Sequence, residues 1–216
     1  MMHPQVEFIY LEHKREKPEE VAYCLSTLKK HMPEAFITQI SDRYTDKIPG
    51  VDAVVRISNT KIEFNKVKYP QLMFDCLAQH SSDNSLVIDT DLVFDDSIYE
   101  TFEGDYDVAL CSRCDNDAPN LQEETPYQGG LWIVKNTDFW SFCSTLHSKL
   151  PKYDWKSGQL LISEMVKNKT FNFKVLDGNI YNRTPRYEGE TDPNVKVWHY
   201  KGKRKKWLPL HARSLD

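Results

Sequence analysis

Asp89 and Asp91 close an apolar run, Leu86, Val87 and Ile88, and His199 stands in a second segment, residues 195–207, that reads VKVWHYKGKRKKW. Along an extended strand, side chains two positions apart project to the same side. Asp89 and Asp91 can then address one point while Thr90 faces away. Two close carboxylates repel each other unless a cation or a proton lies between them. A hard divalent ion such as Mn²⁺ or Mg²⁺ resolves that conflict and keeps coordination positions open for substrate phosphates. The competing reading is a strand followed by an acidic turn. His199 ends an alternating strand, and neutral imidazole is a competent ligand beside carboxylates. Gly202 permits close approach of the backbone to a ligand, and Lys203, Arg204, Lys205 and Lys206 place cationic donors just beyond it. The order His-x-x-Gly-x-x-Lys suits a metal ligand, a close loop and a diphosphate clamp at Lys205. A solvated basic face, or a contact with nucleic acid, is the alternative for such a charge run.

These residues depend on the elements that hold them. Strands are predicted at 6–11, 35–40, 51–57 and 85–92. Helices are predicted at 18–31 and 64–80, the second kinked or split at Pro70. Pro18, Glu19 and Glu20 suit a helix start, and Val21, Leu25 and Leu28 keep helical spacing. This β-α-β order predicts an α/β fold with a mostly parallel central sheet flanked by helices. In such sheets ligands sit outside the carboxyl ends of the strands, the edge on which Asp89 and Asp91 stand. Asp95 and Asp96 read as the N-cap and first-turn acid of a helix at 98–102. Strands at 108–112, 130–134 and 171–176 and helices at 137–150 and 157–167 complete a single domain spanning 1–216.

A net charge of −4 disfavours a generic nucleic-acid binder. Cysteines number five, an odd count spread through core segments, which suits free thiols in a reducing compartment. Cys111 and Cys114 form a C-x-x-C without the second pair that a zinc site needs. No apolar run is long enough to cross a bilayer, and the first residues, MMHPQVEFIYLEH, lack the pattern of a signal peptide. A cytoplasmic protein without a membrane anchor is expected.

The arrangement H-[FY]-x-G-x-x-K-x-W at 199–207, with a D-x-D strand upstream, resembles the glycogenin and galactosyltransferase-type retaining glycosyltransferases. The resemblance implies a GT-A-like nucleotide-diphospho-sugar transferase fold. It also implies Mn²⁺ or Mg²⁺ on Asp89, Asp91 and His199, and a nucleotide-diphosphate sugar as donor, with a UDP-sugar expected first. Lys205 would contact the diphosphate. Gly202 matches the family glycine and Trp207 the closing aromatic, while Lys206 stands where the family usually has proline. Residues 127–136, YQGGLWIVKN, resemble a strand in which a small residue lets the sugar approach the backbone, which implicates Gln128, Gly129 and Gly130. Residues 158–166, GQLLISEMV, resemble a helix that begins Asp-Gln; Gly158 replaces the aspartate and Gln159 remains. The resemblance thus points to Gln159 and Gln128 as the catalytic pair. It places Tyr10, Lys66 and Thr90 with the nucleotide, Tyr10 as a stacking surface for uracil.

The expected function is metal-dependent transfer of a sugar, with retention, to an acceptor that is a saccharide, a protein or a nucleic acid. With no convincing carboxylate nucleophile, a front-face mechanism is the more economical expectation. Nucleotidyl transfer onto a sugar phosphate is a second reading, but residues 12–20, EHKREKPEE, contain none of the glycines its phosphate loop requires. A third is an α/β module whose basic tail binds nucleic acid; such a module has no need of three metal ligands.

Overall fold

The structure, a computed structural model, describes residues 4–11, 17–63, 65, 67–150 and 156–208. Alternation along the first strand sets up two faces. In β1 (Gln5–Ile9), Val6 and Phe8 pack into one apolar cluster and Ile9 into another across the sheet. The same split recurs at Leu86 and Ile88 against Val87, and at Leu131 and Ile133 against Trp132 and Val134. Period-two patterning with both sets apolar is what a sheet covered on both faces requires.

Helix α1 (Pro18–His31) begins with proline in its first turn, and Glu20 Oε2 accepts from Lys17 N at 3.0 Å. Its buried face, Val21, Leu25 and Leu28, follows the expected spacing. Strands β2 (Phe36–Asp42) and β3 (Ala53–Ser58) follow, then α2 (Tyr69–His80). Pro70 lies in the first turn of α2, where a missing N–H costs nothing, so it opens the helix instead of kinking it.

The strand expected at 85–92 is two strands. β4 (Ser85–Ile88) belongs to the main sheet, and β5 (Leu92–Phe94) leaves it. Residues 89–91 are the turn between them. A 3-10 turn (Tyr99–Phe102) replaces the helix expected at 98–102. Asp95 does not cap it; its Oδ2 accepts from Trp198 Nε1 at 2.8 Å, while Asp96 Oδ1 accepts from Ser97 N at 2.7 Å.

Then come β6 (Val108–Ser112), α3 (Pro119–Glu124), β7 (Tyr127–Val134), α4 (Asp138–His147) and α5 (Ser157–Lys167). The described chain closes with β8 (Phe173–Leu176), α6 (Gly178–Tyr181), β9 (Val197–His199) and a 3-10 turn (Gly202–Trp207). The seven-stranded sheet runs β3-β2-β1-β4-β7-β6-β8, with β7 antiparallel to both neighbours and the other pairs parallel. β5 and β9 form a separate antiparallel ribbon. The expectation of a mostly parallel sheet flanked by helices holds.

All five cysteines are buried and free. Burial pushes the Cys111 thiol up to about 12, so it stays protonated at neutral pH, and Cys114 Sγ accepts from Thr184 N at 3.4 Å. The C-x-x-C is packing. Among the described residues no helix is long and apolar enough to cross a membrane.

Candidate metal centre and adjoining cleft

The ribbon of β5 and β9 joins two segments that lie far apart in the chain. Leu92 pairs with His199, and Tyr200 N donates to the carbonyl of Asp91 at 3.0 Å. On the other side of the turn, Asp89 N donates to the carbonyl of Gly130 at 2.8 Å. Both aspartates are thus positioned by main-chain bonds to neighbouring strands. Their convergence comes from a turn, not from same-face geometry along one extended strand.

His199 Nε2 lies 3.1 Å from Asp91 Oδ1 and 3.8 Å from Asp89 Oδ2. One ligand atom from each of the three falls within 4.8 Å of the others. Asp91 and His199 are buried, whereas the Asp89 side chain is 40% exposed, so the cluster opens to solvent on the Asp89 side. The other imidazole nitrogen, Nδ1, lies 2.7 Å from Asn182 Oδ1, and Asn182 Nδ2 donates to the carbonyl of Gly129 at 3.0 Å. The bond to Gly129 orients the amide so that its oxygen faces the ring. Nδ1 therefore donates to Asn182, which leaves Nε2 as the nitrogen that would ligate an ion held with the two carboxylates. Two carboxylates and an imidazole with converging lone pairs fit a hard divalent cation of the Mn²⁺ or Mg²⁺ class.

Asn182 is not evident from sequence, because a single asparagine outside any motif carries no signal. It holds the imidazole as an outer-shell partner would hold a ligating histidine. Asn182→Ala is expected to weaken Mn²⁺ binding by roughly tenfold to a hundredfold. Asn182→Asp, which keeps an acceptor for Nδ1, should bind more tightly than the alanine variant. Calorimetric Mn²⁺ titration of the two variants is the check, and equal affinities would deny the tautomer role.

Gly130 makes room for the ring. Its φ is +109°, and a Cβ there would lie 2.5 Å from His199 Cε1. The pairing of β6 with β7 shifts register between Leu110 and Cys111, opposite this glycine stretch. Such bulges bend a strand and re-aim its residues. Gly130 thus seats the histidine, and it also lines the adjoining cleft.

Lys205 Nζ lies 2.8 Å from Asp91 Oδ2. The lysine expected on a diphosphate therefore borders the candidate metal site directly. Gly202, at the head of the same 3-10 turn, has φ +58°, a backbone conformation that favours glycine, and a Cβ there would meet no protein atom within 4 Å. Lys201 also turns inward: its Nζ is 3.1 Å from Asp117 Oδ2 and donates to Gln128 Oε1. Burial works against the charged form of Asp117, but Lys201 and Arg113 hold its carboxyl below the usual range.

Gln128 is 1% exposed, and its other amide end donates to the carbonyl of Asn182 at 2.8 Å. Both ends of the amide expected at the reaction are thus engaged within the protein. Tyr10 is 3% exposed within the apolar cluster of β1, so its ring offers no open face to a base. Thr90 is buried in the turn between the aspartates. Lys66 lies outside the described residues.

A cleft of about 180 Å³ adjoins the cluster at the carboxyl ends of β1 and β4. Asp89, Gly129, Gly130, Trp132 and Gln159 line it, together with Tyr69, Pro70, Met73 and Phe74 of α2. Gly158 also lines it; a Cβ there would stand 3.3 Å from Pro70 Cβ and 3.4 Å from Phe74 Cζ. Helix α2 thus presses on the position where the resemblance implies an aspartate. Gln159 Oε1 accepts from Arg113 Nη2 at 2.6 Å, which fixes the amide.

No known family profile matches the chain, and no curated protein matches it significantly. Solved structures do. The glycosyltransferase GlyE of Streptococcus pneumoniae TIGR4 superposes with a TM-score of 0.66 at 12% identity, over 97% of this chain and 60% of that one. This chain therefore spans about 60% of that relative's length. A glycosyltransferase involved in glycosylation of the major capsid of PBCV-1 gives 0.60 at 10% identity, over 98% of this chain and 100% of the other. The galactosyltransferase LgtC, in complex with donor and acceptor sugar analogs, gives 0.56 at 10% identity, over 97% and 95%. At these identities the likeness shows the fold, which is that of the GT-A glycosyltransferases.

Proposed function

We propose that this chain is a divalent-metal-dependent glycosyltransferase, a single GT-A-like domain that moves a sugar from a nucleoside-diphosphate sugar, UDP-linked in the first instance, to an acceptor. The observation that carries this reading is the cluster of Asp89, Asp91 and His199, with Lys205 beside it, opening onto a sugar-sized cleft on this fold. Asp89, Asp91 and His199 would hold Mn²⁺ or Mg²⁺. The bound ion supplies positive charge where the departing diphosphate develops its negative charge. Lys205 adds a second cation at the same place. Gln159 presents its amide to the sugar side of the cleft. Asp89 is the only carboxylate lining that cleft among the described residues, and it is committed to the metal. No other carboxylate among them is placed to form a covalent glycosyl intermediate there, which supports retention by front-face displacement. Five free thiols suit a reducing, cytoplasmic setting.

The basic tail gives less support to a nucleic-acid contact, because Lys201 and Lys205 pair inward with Asp117 and Asp91. A saccharide or protein acceptor fits better than a polyanion.

A thermal-shift panel of nucleoside diphosphates and their sugars, with and without Mn²⁺, tests the reading. Ligands that bind the native state stabilise it by mass action, by about 2.7 kcal/mol at a hundred times Kd, and so raise the unfolding midpoint. A nucleotide that raises it only with the metal is the expected result; a panel without any metal-dependent shift would overturn the assignment.

Lys205 and Lys203 separate a clamp from a diffuse patch. Loss of one charge-assisted contact to phosphate costs on the order of 1.5–3 kcal/mol, so Lys205→Ala should slow donor hydrolysis roughly tenfold to a hundredfold. Lys203→Ala should leave that rate nearly unchanged. Side-by-side hydrolysis rates decide it, and equal losses would mean that charge alone matters.

A further inference from the structure

Two N–H donors in the cleft have no acceptor among the described residues: Trp132 Nε1 and Gln159 Nε2. Trp132 is only 5% exposed, yet its indole edge and the Gln159 amide converge on the open face of Gly129. An atom at the Cβ position of Gly129 would lie 3.8 Å from Gln159 Nε2 and 4.0 Å from Trp132 Nε1. Arg113 holds Gln159 Oε1, so the end of the amide left over is the donor end. Helix α2 adds Tyr69 and an apolar stretch, Pro70, Met73 and Phe74, to the lining, and Gly158 lies against Pro70 and Phe74.

This pattern discriminates between ligand groups. A sugar hydroxyl both donates and accepts, so one placed between two donors and an apolar wall leaves its own O–H unpaired. A carbonyl oxygen only accepts, and it satisfies both donors at once. The group beyond the carbonyl must then be apolar, and a methyl meets that need against Pro70 and Phe74. An acetamido group supplies both parts.

We infer that the cleft selects a nucleoside-diphosphate N-acetylhexosamine over the corresponding unsubstituted hexose. The inference rests on the proposed function and deepens it, because it names the class of sugar. The cleft of about 180 Å³ has room for one sugar ring with a small substituent.

Calorimetric titration with Mn²⁺ tests it, using UDP, UDP-glucose, UDP-galactose and their N-acetyl counterparts on the full chain. The expected result is at least tenfold tighter binding of the N-acetyl donors than of the hexose donors. Trp132→Phe keeps an aromatic ring and removes the N–H, and it should bring that ratio several-fold closer to one. If UDP binds with Mn²⁺ but the wild-type ratio is one or favours the hexoses, the sugar inference is overturned and the proposed function stands. An unchanged ratio in a folded Trp132→Phe variant also overturns it. If UDP itself does not bind with Mn²⁺, both the inference and the UDP-donor reading fall. The wild-type ratio decides the matter even where the variant does not fold.

Discussion

Asp91→Asn is expected to abolish Mn²⁺-dependent nucleotide binding, lowering affinity by at least about a hundredfold, while the protein keeps its fold. The size follows from direct ligation: removal of outer-shell partners alone typically costs tenfold to a hundredfold, and a charged ligand contributes more. The fold should survive because the main chain of Asp91, not its carboxylate, holds the turn. Its carbonyl accepts from Tyr200 N, and that bond is untouched by the substitution. Asparagine also keeps an oxygen for Lys205, which lies 2.8 Å from Oδ2, and places its amide nitrogen where Oδ1 stands 3.1 Å from His199 Nε2. Calorimetric titration of a nucleoside diphosphate with and without Mn²⁺, beside a thermal melt, separates the two effects. Undiminished metal-dependent affinity in the variant would sink the three-ligand site.

Gly130→Ala should be nearly as damaging, although Gly130 supplies no ligand atom. The new Cβ would stand 2.5 Å from His199 Cε1 and 2.8 Å from Nδ1, and the backbone there has φ +109°. The ring must move, and with it the Nε2 lone pair and the bond to Asn182. The expected loss of Mn²⁺ affinity is at least about a hundredfold, comparable to that of His199→Ala, since both displace a direct ligand. The unfavourable backbone conformation adds roughly 1–2 kcal/mol of destabilisation, a few degrees in melting temperature for a chain of this size. Gly129→Ala is the control: its nearest neighbours stand at 3.8 and 4.0 Å, ordinary contact distances, so Mn²⁺ binding should be spared. Equal Mn²⁺ affinities for the two alanine variants would show that His199 is not seated against Gly130.

Both predictions rest on residues that the sequence brings forward by type, and on reasons that it could not supply. Asp89, Asp91 and His199 are legible because few side chains serve as hard-metal ligands, and here they stand in a recognisable order. Why they meet is another matter. An extended strand through residue 92 accounts for a same-side pair, whereas the chain turns at 89–91 and divides between two sheets. An apolar run reads alike whether it continues or breaks, since β4 and β5 are both fully buried.

Features that are local and periodic could be read along the chain. The alternation at 6–9, 86–88 and 131–134 specifies strands covered on both faces, and the spacing of Val21, Leu25 and Leu28 specifies one buried helix face. Together with β-α-β order these dictate an α/β sheet with its functional edge at the carboxyl ends of the strands. Which polar side chains reach that edge is settled only by packing. Gln128 and Tyr10 look available in one dimension; Lys201 and Asn182 enclose the first, and the β1 core encloses the second. Asn182 looks ordinary and holds the histidine. Gly130 looks like part of a loop and clears the space the histidine fills. Backbone propensity depends on neighbours in the chain, whereas burial, hydrogen-bond partners and steric room depend on neighbours across it. Those contacts exist only once β5 has paired with β9 and the bulge of β7 has carried Gly129 and Gly130 to the cluster of Asp89, Asp91 and His199.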